Sequence, residues 1–225
     1  MRQLTLDIRP EAPPSFDNFV PGANGELLAR LRAVTEPKAG EALYLWGAQG
    51  SGRSHLLHAA IQAAHVAGLA AHYLAGADVG DDLPAAPGGL LAIDDVERLS
   101  AGAQIALFRA FNALRHGGPT LLVSAAAPPL RLSLREDLRT RLGSALVFEV
   151  RPLSDEDKAQ TLAGHARQRG MRLDPGIIQY LLRHGRRDLR WLLAVLDALD
   201  AASLEQQRPI TLPLLRQILP AASSQ

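Results

Sequence analysis

Two regimes of hydrophobic patterning divide the chain. Between residues 42 and 150, short apolar runs recur: "ALYLW" (42–46), "LAAHYLA" (69–75), "LLAIDDV" (90–96), "PTLLVSA" (119–125) and "ALVFEV" (145–150). Short runs of this kind, bounded by Gly, Pro or Asp, read as strands, and an unbroken apolar run implies burial on both faces. Between them lie segments with apolar residues three and four apart. "GANGELLARLRAV" begins a helix, with Asn24 as its candidate cap. "RSHLLHAAIQAAHVAG" is a helix stopping at Gly68, and "AGAQIALFRAFNALRHGG" and "LREDLRTRL" are two more. "GADVGDDLPAAPGG" is a loop. Strands alternating with helices predict an α/β fold: a parallel sheet with right-handed crossovers, sandwiched by helices.

After Val150 the strand pattern stops. "SDEDKAQTLAGHARQRG" opens with a capping box, Ser154 facing Asp157, and acids crowd its first turn. "DPGIIQYLLRHG", "RDLRWLLAVLDALDAASLEQ" and "TLPLLRQILP" complete four helices. A smaller all-helical subdomain is therefore expected over 152–220, behind an α/β core over 15–151. The last residues, 221–225, are expected to be a disordered tail. At the other end "RPEAPP" disfavours helix, so residues 1–14 are expected as an extended segment carrying "QLTLDI" ahead of the core.

Composition narrows the function classes. The 225 residues are 47% hydrophobic and 21% charged, with a net charge of +1, so no global basic field points to nucleic acid as the main partner. The absence of cysteine removes disulfides, thiolate catalysis and zinc ribbons, and it fits a cytoplasmic protein. No apolar run at the start suits a signal peptide, and none reaches membrane-span length.

The chemistry concentrates after the first and third strands. "GAQGSGRS" (47–54) has the spacing of the phosphate-binding loop G-x-x-x-x-G-K-[ST], with Arg53 in place of Lys. Glycines let backbone N–H groups turn inward around phosphates, and the following helix N-terminus adds partial positive charge. Gly47, Gly50, Ser51, Gly52, Arg53, Ser54 and His55 are the candidate phosphate contacts, with Ser54 also a candidate Mg²⁺ ligand. A glycine turn that only packs a helix on a sheet remains the alternative. Asp94 and Asp95 stand at the carboxyl end of an apolar strand, where open α/β sheets place ligands. Asp94 is the second candidate Mg²⁺ ligand, and Asp95 is positioned to orient an attacking water. Arg53 keeps the attraction to phosphate, but its planar fork is bulkier than an ammonium, so ADP is expected over ATP. The basic run "LLRHGRRDLRWLL" reads as a solvated helix face more readily than as a DNA contact. His55 and His58 share a helical face with no third ligand in sight.

"SFDNFVPG", "GAQGSGRSHLLHA", "AIDDVERL", "PPLRLSLREDLRTRL", "PLSDEDK" and "RRDLRWL", in this order, resemble the DnaA-type branch of the AAA+ P-loop ATPases, over nearly the whole chain. Within it the G-R-S loop and the short C-terminus are similar to regulatory relatives of DnaA rather than to DnaA itself. No DNA-binding helix-turn-helix domain is expected after the lid, and no direct sequence-specific DNA contact. The resemblance implies that Phe16, Asn18 and Phe19 lie near the base. It implies further that Arg141 is an arginine finger acting on a neighbour's nucleotide, and that Arg190 is the lid arginine. The polar sensor residue after the fourth strand is read as lost at Ala125, which argues against catalysis in the chain's own site. "QLTLDI" is similar to peptides that dock into the DNA polymerase sliding clamp (its β subunit). Gln3 would offer its amide there, with Thr5 alongside, while Leu4, Leu6 and Ile8 fill apolar pockets. The expected function is regulation of replication initiation: the protein joins the clamp and promotes ATP hydrolysis by DnaA. An autonomous DnaA-like ATPase acting as a loader is the alternative. A homo-oligomer is compatible with either, and no membrane partner is expected.

Overall fold

Among the described residues five strands pair side by side, all parallel: β1 (Ala42–Trp46), β2 (Ala71–Ala75), β3 (Leu90–Asp94), β4 (Thr120–Ala125) and β5 (Leu146–Glu149), in the order β2-β3-β4-β1-β5. The computed structural model describes residues 13–34, 40–84, 87–186 and 188–222. Its contacts divide the chain into two units, with the boundary between Pro152 and Leu153.

In the first unit, helices α1 (Gly25–Ala33) and α2 (Arg53–Val66) cover one face of the sheet. Leu28, Leu31, Leu57 and Ala60 pack there with Leu43, Leu45, Ala92 and Leu122. Helices α3 (Ala101–Ala113) and α4 (Glu136–Gly143) cover the other face, where Leu107, Phe111, Leu138 and Leu142 meet Tyr44, Ile93, Leu121 and Val123. Neighbouring residues of one strand thus serve opposite cores, which is why β3 and β4 read as unbroken apolar runs. β5 forms one edge and is largely exposed, with Leu146 and Val147 among its open residues.

The second unit contains α5 (Asp155–Gln168), α6 (Pro175–His184), α7 (Leu189–Gln206) and α8 (Leu212–Ala222). Leu162, Ile177, Leu181, Leu192, Leu196, Leu199 and Leu215 form its core. The capping box of α5 is present: the Asp157 N–H donates to Ser154 Oγ at 3.0 Å, and the Ser154 N–H donates to Asp157 Oδ2 at 3.2 Å. Asp174 and Asp188 are simple N-caps of α6 and α7, accepting from the N–H groups of Gly176 and Trp191. His165 and Arg169 on α5 both reach Asp197 on α7. α8 continues to Ala222, two residues past the expected stop at Pro220.

Asn24 corrects a second expectation. It precedes α1 but its side chain caps nothing. Its amide instead pairs with the backbone of Arg151, donating to the carbonyl at 2.8 Å and accepting from the N–H at 2.8 Å. A further Asn24 hydrogen bond goes to the Pro21 carbonyl. The amide mimics a strand rung and ties the chain just after β5 to the start of α1. Asn24 is buried, so truncation leaves both Arg151 groups without a partner. Asn24→Ala is expected to destabilise the protein by roughly 1–3 kcal/mol in urea unfolding, at ~0.5–1.5 kcal/mol for each of the two part-buried hydrogen bonds lost. Asn24→Asp, which keeps only the acceptor, is expected to lie between the two.

Candidate functional site

The loop from β1 to α2 owes its shape to left-handed backbone at Gly50 (φ +77°) and Gly52 (φ +101°). At Gly52 a side chain is excluded twice over: the φ disfavours it, and a Cβ would lie 2.9 Å from the Phe19 ring. The loop presents the N-terminus of a 14-residue helix. Two polar atoms inside it are buried without hydrogen-bond partners, Ser51 Oγ and Arg53 Nη1. Unsatisfied buried donors are rare in folded chains, and two in one glycine loop at a helix N-terminus fit an anion with several oxygens. Ser54 lies exposed in the first turn of α2.

The segment read as a base contact divides on inspection. Phe19 stands over the loop, with its ring 5.5 Å from that of His55, and His55 Nε2 lies 3.0 Å from the Ser15 carbonyl oxygen. Phe16 is instead a core residue of the α1–α2 face. The Asn18 side chain is exposed and organises its own turn, accepting from the Ser15 N–H and donating to the Pro13 carbonyl. His58 stacks on Tyr73 at 3.8 Å.

At the carboxyl end of β3, Asp94 is only 3% exposed. Both its carboxylate oxygens accept hydroxyl hydrogen bonds: Oδ2 from Tyr73 at 2.9 Å, and Oδ1 from Ser124. Tyr73 and Ser124 went unnoticed in the sequence. Strand registers that pair Ala75 with Asp94 and Ile93 with Val123 put Tyr73, Asp94 and Ser124 on one face of the sheet. A polar residue within or ending an apolar strand, on the same side as an acid in the next strand, was the available signal. Burial raises the Tyr73 phenol well above its ordinary pKa, with the Asp94 charge and hydrogen bond adding to it, so the phenol stays a donor. A carboxylate offers more lone pairs than these two bonds use, so Asp94 can still reach a cation's water. Asp94 and Ser54 are the residues that would hold Mg²⁺.

Asp95 has left-handed backbone (φ 52°), uncommon for any residue but glycine. Its N–H donates to Ser124 Oγ at 3.2 Å, and its carbonyl accepts from the Arg98 N–H. Gly76 crosses so closely that a Cβ there would lie 2.3 Å from the Asp95 carbonyl oxygen. Held this way, Asp95 meets the loop arginine: Arg53 Nη2 lies 3.2 Å from Oδ1. Burial, and then the neighbouring Asp94 charge, push the Asp95 carboxyl above its usual range, and the Arg53 guanidinium offsets only part of that.

Ala125 is fully buried on the α3–α4 face, so its side chain points away from Asp94, and Ser124 is the polar group that β4 directs at the acids. The segment after β4 is pinned at two points. The Tyr44 hydroxyl donates to the Ala127 carbonyl at 2.6 Å, and the Ala126 N–H donates to Glu97 Oε1 at 2.9 Å. Arg141 lies exposed on α4 with its guanidinium 5.9 Å from the Phe108 ring centre, and no carboxylate among the described residues pairs with it. Asp137 is held instead by Arg135, at 2.8 Å, and that hydrogen bond keeps its carboxyl below the usual range. Arg190 is exposed at the start of α7, in the other unit. Gln3, Leu4, Thr5, Leu6 and Ile8 lie outside the described residues. Among the described residues no helix is long and apolar enough to cross a membrane.

Comparison with known proteins agrees with this architecture. Residues 155–219 match the family model of the Hda lid domain. Domain III of the Thermotoga maritima replication initiation protein DnaA superposes with a TM-score of 0.73 at 20% identity, covering 96% of this chain and 100% of that one. AMPPCP-bound DnaA from Aquifex aeolicus gives 0.70 at 20% identity, over 88% of this chain and 68% of that one. The Thermotoga maritima RuvB Holliday junction branch migration motor gives 0.67 at 18%, over 93% and 72%. At these identities the superpositions establish the fold. Residues 155–219 of the helical unit are thus similar to the Hda lid domain, and the chain shares its fold with domain III of DnaA.

Proposed function

We propose that this protein is a nucleotide-binding regulator of replication initiation, one that works on DnaA rather than as a self-sufficient ATPase. The observation that carries nucleotide binding is the pair of buried, unpartnered polar atoms in the glycine loop, Ser51 Oγ and Arg53 Nη1, at the N-terminus of α2. Backbone N–H groups of residues 47–54 with Arg53 would hold the phosphates, and Phe19 and His55 flank the loop. Ser54 and Asp94 would hold Mg²⁺, which neutralises phosphate charge when bound. Similarity to DnaA in its AMPPCP-bound form supports the same ligand class here. ADP is the proposed nucleotide, because the planar guanidinium of Arg53 is bulkier than the ammonium it replaces in the loop pattern. Calorimetry with each nucleotide tests this: ADP is expected to bind more tightly, and an ATP affinity tenfold above ADP, ~1.4 kcal/mol, would overturn the preference.

The partner reading rests on the lid family, the resemblance to DnaA regulators and the N-terminal peptide. Docking of "QLTLDI" on the sliding clamp places the protein at replicating DNA in the cytoplasm. Gln3→Ala, or Leu4→Ala with Leu6→Ala, is expected to abolish clamp binding while leaving the unfolding transition unchanged. Normal clamp binding by a chain lacking residues 1–9 would refute the peptide's role.

Arg141 is the proposed trans finger. It is exposed, on a short helix, and without an acidic partner among the described residues, as a side chain waiting for a neighbour's phosphate would be. Such fingers are worth roughly 10³–10⁵ in rate. Hydrolysis is measured for this protein alone, for DnaA alone, and for both with clamp on DNA. The wild type is expected to accelerate hydrolysis by DnaA while showing little of its own. Arg141→Ala and Arg141→Lys are expected to bind nucleotide and clamp but lose the acceleration, because an ammonium cannot replace the planar fork. Full acceleration by the alanine variant would leave the protein a tether at most.

A further inference from the structure

The contact between Arg53 and Asp95 gives a phosphate-loop residue an acidic partner inside the site. Arg53 is nearly buried, its side chain 11% exposed against 38% for Asp95. One end of its guanidinium meets Asp95 Oδ1, and the other, Nη1, has no partner. We propose that Asp95 is the resident counter-ion of Arg53 and sets the affinity of the glycine loop for nucleotide by competing with the phosphate groups. This rests on the nucleotide-binding reading above and adds the determinant of its strength.

Three features support the competition. Asp95 cannot follow Arg53 toward a ligand. Its left-handed backbone is fixed by hydrogen bonds from the Arg98 N–H and to Ser124 Oγ, and by the close passage of Gly76. Arg53 sits on a flexible stem, so it is the arginine that changes partner. The ion pair is also imperfect. Nη2 makes the contact at 3.2 Å while Nη1 stays unpartnered among the described residues, where a bidentate fork through both is the strong arrangement. Finally, Asp95 lies next to the buried charge of Asp94, whose own oxygens accept from Tyr73 and Ser124. When a phosphate takes Arg53, Asp95 loses its ion-pair partner beside the buried Asp94. Binding carries that cost, and removing the Asp95 charge removes it.

The test is ADP calorimetry on the full chain. Asp95→Asn keeps the shape and, like aspartate, tolerates left-handed backbone, and Asp95→Gly adopts it freely, so both are expected to fold. Each is expected to tighten ADP binding about tenfold, ~1.4 kcal/mol. General repulsion between Asp95 and phosphate would give the same gain whatever stands at position 53. Competition for Arg53 does not, so the gain is expected to disappear when Asp95→Asn is made on Arg53→Gln, titrated to millimolar ADP. In the ligand-free protein the same two substitutions are expected to be non-additive in Tm, since either alone breaks one ion pair. An unchanged or weakened ADP affinity in both Asp95 variants overturns the proposal, as does an equal gain in the Arg53→Gln background. Failure of the wild type and every variant to bind any nucleotide removes the nucleotide reading with it. Binding by the wild type without a gain in the Asp95 variants removes only the counter-ion role.

Discussion

The first unit is organised by one constraint. β1, β3 and β4 have neighbours on both sides and cores on both faces, so along their length neither a polar side chain nor an unpaired backbone group finds water. Polar chemistry can emerge only where these strands end. Gly47 follows β1, Asp94 closes β3 and Ser124 stands one residue from the end of β4, so all three fall on the carboxyl rim of the sheet. The glycine loop and the acids are neighbours for that reason, although more than forty residues separate them in the chain.

Groups gathered on such a rim act on each other as well as on any ligand. Asp94, nearly excluded from water, would be costly as a bare carboxylate, and the Tyr73 and Ser124 hydroxyls supply the hydrogen bonds that burial requires. Asp95 has no such hydroxyl donors on its oxygens and turns to Arg53. The unusual arginine of the loop and the second acid of the strand are therefore read together. The ion pair gives Arg53 a function that a substituted lysine motif does not suggest by itself.

Much of the candidate site was legible because its determinants are local. Glycine spacing, the helix that follows and an acid pair after an apolar run all show in a few consecutive residues. Other features depend on pairings between distant segments. Tyr73 joins the site only through the register of β2 on β3, and the direction of Ser124 and Ala125 only through that of β4. Asn24 shows how a correct local reading misleads. An asparagine before an amphipathic run suits a cap, yet Arg151, far along the chain but close in space, offered both a donor and an acceptor, and the side chain paired with those backbone groups instead.

Local patterning alone determined the elements and their order: five strands alternating with helices, then four helices, the first opened by a capping box at Ser154. These follow from periodicity, backbone preference and hydrogen bonds spanning two or three residues, which need no knowledge of the fold. Tertiary structure decided which strands became neighbours, which face each side chain took, and which charge answered which. Phe16 went to the core while Phe19 went to the loop, three residues away, because only packing between α1, α2 and the sheet distinguishes the two aromatics. Arg53 met Asp95 for a comparable reason: a charged side chain's partner is set by distance and burial in three dimensions, and neither is written in the spacing of the chain.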